Sequence, residues 1–217
     1  LLLAASLARG LSGVRPLVCE TIVAMLNKGV TPVVPSVGSV GASGDLAPLS
    51  ALALVAIGEG EAEIGGRRMR GGAALRQAGL QPLELSAKEG LAIINGTHLM
   101  AGWGSLVVSE HDRLMWGAIV ALAMSMDACR ASHSFLDERL YLARGQITGG
   151  ATISAKLRRL LADSAIRDSH RRDDPRVQDP YCLRAAPTVL GAVLSTVGHI
   201  GSEIEWELGG VTDNPLV

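Results

Sequence analysis

The stretch Gly38-Ser39-Val40-Gly41-Ala42-Ser43-Gly44-Asp45 decides how the rest of this chain is read. It sets a serine between two minimal neighbours, with an acid following the second. Gly44 leaves its own amide nitrogen unshielded by a side chain and lets the backbone fold back without a Cβ penalty. Held close to the Ala42 carbonyl, that nitrogen can attack it. Ring closure, with loss of water from the ring and from the Ser43 side chain, would turn Ala42, Ser43 and Gly44 into an imidazolone carrying an exocyclic methylidene. Such a group is a strong electrophile, which no encoded side chain is. Chemistry that draws electrons from an amine or an aromatic ring needs a cofactor, bound or self-made.

Taken alone, Ser43 is equally a helix N-cap or a turn residue in a glycine-rich loop. Two other loop chemistries fit poorly. A phosphate loop would end in Gly-Lys-Ser/Thr, and the spacing of Gly38, Gly41 and Gly44 is unlike the dinucleotide fingerprint. A hydrolase elbow needs glycine two residues after the serine, where Asp45 stands.

Three further segments accompany the loop: Asn95-Gly96-Thr97, the run Val177-Gln178-Asp179-Pro180-Tyr181-Cys182-Leu183-Arg184, and Thr212-Asp213-Asn214-Pro215-Leu216-Val217. In order and spacing the four segments, which extend over nearly the whole chain, resemble the histidine and aromatic amino acid ammonia-lyases and their sister aminomutases. The resemblance implies a methylidene-imidazolone formed autocatalytically from Ala42, Ser43 and Gly44, with no metal. It implies that Asn95 hydrogen-bonds the cofactor ring, with Asp45 beside the cofactor. Tyr181 stands near the cofactor and the substrate amine, Arg184 grips the substrate carboxylate, Gln178 supports it, and Asn214 lies near both cofactor and carboxylate. Each residue also has a plainer reading. Asn95 can cap a helix or take a left-handed turn, Tyr181 and Arg184 can belong to a capped helix start with a surface arginine, and Asn214 can be a turn residue before Pro215. A planar guanidinium is nonetheless the side chain suited to hold a carboxylate bidentately. His98 departs from the Gln or Ala expected after Asn-Gly-Thr, and Leu140 to Gly150 departs from a Pro-rich loop.

At 217 residues, with 48% of them hydrophobic, the chain can bury a core. A formal net charge of −1 gives no electrostatic case for nucleic acid or an anionic membrane. The basic tract from Lys156 to Arg176 is interleaved with Asp163, Asp168, Asp173 and Asp174 and reads as a solvated helix face and loop. Cys19, Cys129 and Cys182 are far apart and odd in number, without disulfide or zinc spacing. The remaining histidines, His111, His133, His170 and His199, have no metal-ligand spacing either. The apolar run Leu114 to Met126 is shorter than the ~20 residues that span a bilayer and reads as a buried helix. No secretory leader is evident, and the cytoplasm is the expected compartment.

Few aromatic residues and many Ala, Leu and Gly predict a mainly α fold, a long-helix bundle with a small irregular or hairpin segment and a tetramer-forming core. A helix is expected over 18–27, with Val18, Ile22, Met25 and Leu26 on one face. Pro32 and Pro35 impose an extended approach to the loop, and a buried helix follows from Leu46 to Ile57. The segment 61–83 predicts a surface hairpin about a Gly-Gly turn and a short helix. A rod runs from Thr97 to about Cys129, apolar on most sides and suited to the centre of a bundle shared between subunits. A last helix opens at Pro187 with Val189, Val193, Val197, Ile200 and Ile204 on one stripe and ends at Gly209-Gly210.

The 217 residues read as a single partial domain, the cofactor-bearing core of a longer lyase. The family's catalytic tyrosine base, a substrate-selecting residue and a C-terminal acid would lie outside it. The expected activity is elimination of ammonia from histidine or an aromatic amino acid, in a homotetramer. The alternatives are an aminomutase using the same apparatus, or a non-catalytic helical module for oligomerisation.

Overall fold

The computed structural model describes residues 1–144, 149–213 and 215–217, and the fold is mainly helical. The described residues form two compact units, Leu1–Ser105 with Ile204–Val217, and Leu106–Glu203. In the first unit the order is α1 (Leu2–Leu7), α2 (Pro16–Asn27), β1 (Thr31–Pro32), α3 (Leu46–Ala56), β2 (Glu61–Ile64), β3 (Arg67–Arg70), α4 (Gly71–Gln77) and α5 (Glu89–Ile94). The start of α6 (His98–Ala128) completes it.

Pro16 sits in the first turn of α2, where its fixed φ suits the helix and its missing N–H has no partner to lose. Val18, Ile22 and Met25 are buried, whereas Leu26, expected on the same face, is half exposed. The i, i+4, i+7 row faces inward and Leu26 falls at its rim. Helix α3 buries Leu49, Ala53, Val55 and Ala56 but leaves Leu46 and Leu54 partly in solvent, so it is half-covered where the sequence predicts full burial. One apolar cluster joins Leu3, Leu7, Val18, Ile22, Ala53 and Ile93, drawing α1, α2, α3 and α5 together. A second joins Met25, Val30, Val55, Ala62 and Leu75 beneath the small sheet. There β2 and β3 pair antiparallel across Gly65-Gly66, with Ile64 opposite Arg67, and β1 adds a third strand on the far side of β2. Pro32 fits this edge strand, which among the described residues has no ladder partner on its other side.

In the second unit α6 continues to Ala128, followed by a 3-10 turn at Ser134–Leu136, α7 (Glu138–Ala143), α8 (Gly149–Leu160), α9 (Ala165–Ser169), α10 (Tyr181–Arg184) and α11 (Ala186–Leu208). Its core is Met115, Ile119, Met126, Leu136, Ile153 and Leu157. Asp137 and Ser164 cap α7 and α9 through their side chains. A Cβ on Gly191 would lie 2.4 Å from the Gly150 Cα, so α8 and α11 cross with their backbones nearly touching.

The 31 residues of α6 span about 46 Å at 1.5 Å per residue. The expectation that Leu114 to Met126 is buried is corrected: Leu114 is 72% exposed and Met124 68%. The inward row of α6 in this region is Met115, Ile119, Ala123 and Met126, with Leu122 partly buried against the same core. The stripe on α11 is corrected too. Val189, Val193 and Ile200 are exposed, and the inward row is Pro187, Leu190, Gly191 and Leu194. By length and composition the spans Glu89–Ala128 (α5 with α6) and Tyr181–Leu208 (α10 with α11) are long and apolar enough to cross a membrane.

The N-terminus of α5 is fixed by charge. Glu89, 1% exposed, accepts from Arg15 Nε and Nη2 at 2.8 Å each and from the Ser86 amide at 2.7 Å. The Arg15 guanidinium, with the Ser86 and Arg15 amides, holds the Glu89 carboxyl down at about 2 against the opposing effect of burial. A depressed carboxylate pKa stabilises the fold above its unfolded value near 4.5, and that stability is lost as pH falls towards 2. Arg15→Met strands the buried carboxylate and should cost about 1–3 kcal/mol. In acid titrations followed by circular dichroism, the variant should unfold at a higher pH than the parent chain.

Candidate active site

The Gly38–Asp45 loop runs as a series of bends directly into α3. Asp45 occupies the N-cap position of α3, yet its carboxylate serves another helix. Oδ2 accepts from the Leu99 and Met100 amides, both at 2.9 Å, which are first-turn donors of α6 with no intrahelical partner. Oδ1 accepts from Ser39 Oγ at 2.6 Å. An anion at a helix N-terminus gains from both the free amides and the dipole. Asp45 is completely buried, and these three bonds are what make its charge tolerable there.

The backbone reinforces the same join. The Asp45 amide donates to the Gly96 carbonyl at 2.7 Å. Gly44, at φ +99°, lies so close to the 95–96 turn that a Cβ on it would fall 2.7 Å from the Gly96 oxygen and 3.1 Å from Asn95 Oδ1. Asn95 ends α5 in an extended conformation, and Gly96 follows at φ +142°. Next to them, the Thr97 amide donates to Thr212 Oγ1 at 3.1 Å. The structure therefore brings Gly44, Asp45 and Asn95 together, while Ala42 and Ser43 stand exposed on the open side of the loop. A cradle that a single Cβ would fill, with Asn95 against it, fits a backbone-derived ring made from Ala42, Ser43 and Gly44.

Tyr181, Arg184 and Gln178 belong to the second unit. The spacing of three does put Tyr181 and Arg184 on one face of α10: the guanidinium lies over the phenol ring, 4.4 Å from its centroid. Arg184 Nε donates to the Asp179 carbonyl at 2.6 Å. Gln178 is exposed, as is Tyr181. Asn214 lies outside the described residues. A cavity of this unit, about 920 Å³ between Ser132, His133, Arg158 and Arg167, is lined by none of the predicted residues.

Sequence reasoning gave no role to the anchors. Asp179 is 3% exposed and accepts from the Ser132 amide at 2.9 Å and Ser132 Oγ at 2.7 Å, pinning the segment that carries Gln178 and Tyr181. Asp213 accepts from Ser12 Oγ at 2.8 Å and Lys88 Nζ at 2.9 Å. Each is an acid inside a quoted motif, beside the residue that drew attention for its chemistry. His98 packs its ring against Gly96, where a Cβ would meet Nδ1 at 2.6 Å. Among the described residues neither of its ring nitrogens has a hydrogen-bond partner, and both are buried. Burial lowers its pKa, while the carboxylates of Asp213, Asp45 and Glu207 oppose that effect.

A family model described as aromatic amino acid lyase matches residues 1–217. The histidine ammonia-lyase of Gloeobacter violaceus is 50% identical over 217 residues, 100% of this chain and 42% of that enzyme. The structure of histidine ammonia-lyase from Trypanosoma cruzi superposes with a TM-score of 0.86 at 35% identity, covering 100% of this chain and 39% of that one. For tyrosine aminomutase from Streptomyces globisporus the TM-score is 0.87 at 36% identity, with 100% and 44% covered. The chain thus spans less than half the length of these relatives.

Two outcomes follow from the geometry. Gly44→Ala combines a left-handed backbone with a backbone clash and should lose about 1–3 kcal/mol in thermal unfolding. For His98, a folded pKa below the unfolded value near 6.5 means that the unfolded state binds more protons, so stability falls as pH drops below about 6.5. His98→Gln should flatten that part of the stability–pH curve, measured by urea unfolding at a series of pH values.

Proposed function

Because the chain belongs to the aromatic amino acid lyase family, we propose that it is the cofactor-bearing part of an ammonia-lyase acting on histidine or an aromatic amino acid. The observation that carries this reading is the join at Gly44: left-handed backbone against Asn95 and Gly96, with the next amide tied to the Gly96 carbonyl. That join supports a loop bent back at the residues that must react. In forming the ring, the Gly44 nitrogen bonds to the Ala42 carbonyl carbon, and two waters leave, one from the ring and one from Ser43. Once formed, the methylidene-imidazolone supplies an electrophile for the substrate amine or ring. Asn95, which lies against Gly44, would hydrogen-bond it, and Asp45 would anchor the loop that carries it.

The β-hydrogen of the substrate is only weakly acidic, and the amine is a poor leaving group, which is why an electrophile is required. The net reaction takes the amino acid to the α,β-unsaturated acid and ammonia. Arg184 has Nε committed to the Asp179 carbonyl, so its terminal amino groups are the pair suited to grip the substrate carboxylate bidentately. Tyr181, held under that guanidinium, is suited to stand beside the amine. Gln178 and Asn214 are assigned supporting polar contacts with substrate. The 50% identity to a histidine ammonia-lyase makes histidine the first substrate to try.

The exposed apolar residues Leu106, Leu114, Met124 and Val189 support assembly with further copies, and a homotetramer is the proposed state. Three scattered thiols suit a reducing cytoplasmic setting. A second reading, an aminomutase, is favoured by the similarity to tyrosine aminomutase. It would use the same residues and return the amine to the β-carbon.

The test uses the full-length enzyme. The peptide containing Ala42–Gly44 should be lighter by two waters than the encoded mass, and Ser43→Ala should abolish both this loss and turnover. With histidine, tyrosine and phenylalanine as candidates, release of ammonia with an unsaturated acid identifies the lyase, and a β-amino acid identifies the aminomutase. An unmodified loop with no turnover would overturn the proposal in favour of a non-catalytic helical module.

A further inference from the structure

We propose that Lys88 is a positioning residue for the cofactor-forming loop, acting through Asp213 and Thr212 on the turn at Asn95–Thr97; this rests on the function proposed above. The Asp213 side chain has no exposed surface, and both of its oxygens are used, one by Ser12 Oγ at 2.8 Å and one by Lys88 Nζ at 2.9 Å. Lys88 Nζ also donates to the Ser12 carbonyl. The lysine adopts φ +70°, a left-handed conformation that a side chain with a Cβ takes only when its surroundings impose it. It occupies the N-cap position of α5, and only 18% of its side chain is exposed.

What makes this ion pair informative is where it leads. Helix α5 is six residues long, with Lys88 before it and Asn95 after it. The adjacent residues Thr212 and Asp213 engage both ends: Asp213 takes the ammonium at the start, and Thr212 Oγ1 takes the Thr97 amide just past the end. The lysine stem supplies the reach that lets neighbouring residues grip both ends of a helix about 9 Å long. Between the grips lies the Asn95-Gly96 turn, whose Gly96 carbonyl holds the Asp45 amide and whose atoms press on Gly44. A buried ion pair is weak evidence for stability, since an apolar pair of the same shape often does as well. Here its use is to fix register. With the ammonium gone, Asp213 has no counter-charge, the 212–213 segment shifts, and the turn beside Gly44 loses its backing.

The experiment is made on the full-length enzyme, comparing Lys88→Met, Lys88→Arg and the milder Ser12→Ala with the parent. Amide hydrogen exchange reads the turn directly: Asp45 and Thr97 should exchange at least about tenfold faster in Lys88→Met, at temperatures well below its unfolding. The fraction of loop peptide lighter by two waters should fall in the same variant, and kcat per cyclised site should drop with little change in KM. Lys88→Arg should restore most of both, and Ser12→Ala should give the same effects in smaller degree if Lys88→Met does not fold. Unchanged exchange, cyclisation and kcat in a folded Lys88→Met, or in Ser12→Ala if that is the variant that folds, would overturn the positioning role. A parent enzyme with no cyclised loop would instead overturn the proposed function, and the exchange measurement would still decide the clamp.

Discussion

One buried carboxylate organises the Gly38–Asp45 loop. Asp45 sits where α3 begins and its carboxylate reaches to the first turn of α6, so a single residue sets the loop against two helix N-termini. A short loop with three glycines at 38, 41 and 44 has many conformations to lose, and glycine loses more than any other residue. Three hydrogen bonds to one charge, with the Gly96 carbonyl on the Asp45 amide, select among them. The selected shape is one in which Gly44 can carry no side chain.

The same device recurs along the chain. Glu89 joins the start of α5 to Arg15, Asp213 joins the C-terminal segment to Ser12 and Lys88, and Asp179 ties the 177–184 run to Ser132. Each carboxylate is almost wholly enclosed and each is hydrogen-bonded, the condition under which a buried acid is tolerable. Apolar packing builds α1, α2, α3 and α5 into one core, but it is non-directional and does not set the register of a loop. Directional bonds to buried charge do. In three of the four motifs such an anchor stands within two residues of a side chain singled out in the sequence: Asp45 beside Ser43, Asp179 beside Tyr181 and Asp213 beside Asn214.

Helix positions and the glycine-rich loop were legible because they rest on local rules: Pro187 near a helix start, the Gly65-Gly66 turn, the break at Asn95-Gly96. Inward faces were less so. Leu26, Leu114, Val189 and Val193 are apolar and at helical spacing, yet they face away from the core of this chain. Periodicity marks an apolar face without saying what covers it, and on α6 and α11 more than one face is apolar. The long-range partners were not legible at all. Nothing in the spacing of Lys88 and Asp213, or of Ser132 and Asp179, shows that they meet, because the contact depends on tertiary folding. The resemblance carried residue roles that local patterns left open, and it pointed to Asp45 without indicating that its oxygens serve α6.

The most direct test of this account is the mass of the Ala42–Gly44 peptide from full-length Asp45→Ala, in preparations whose helical circular dichroism matches the parent. If Asp45 is what holds the loop in its reactive shape, the parent peptide is lighter by two waters and the variant peptide keeps its encoded mass. Equal and complete loss of two waters from both would contradict the account, because the loop would then reach its reactive shape without the carboxylate that joins it to α6.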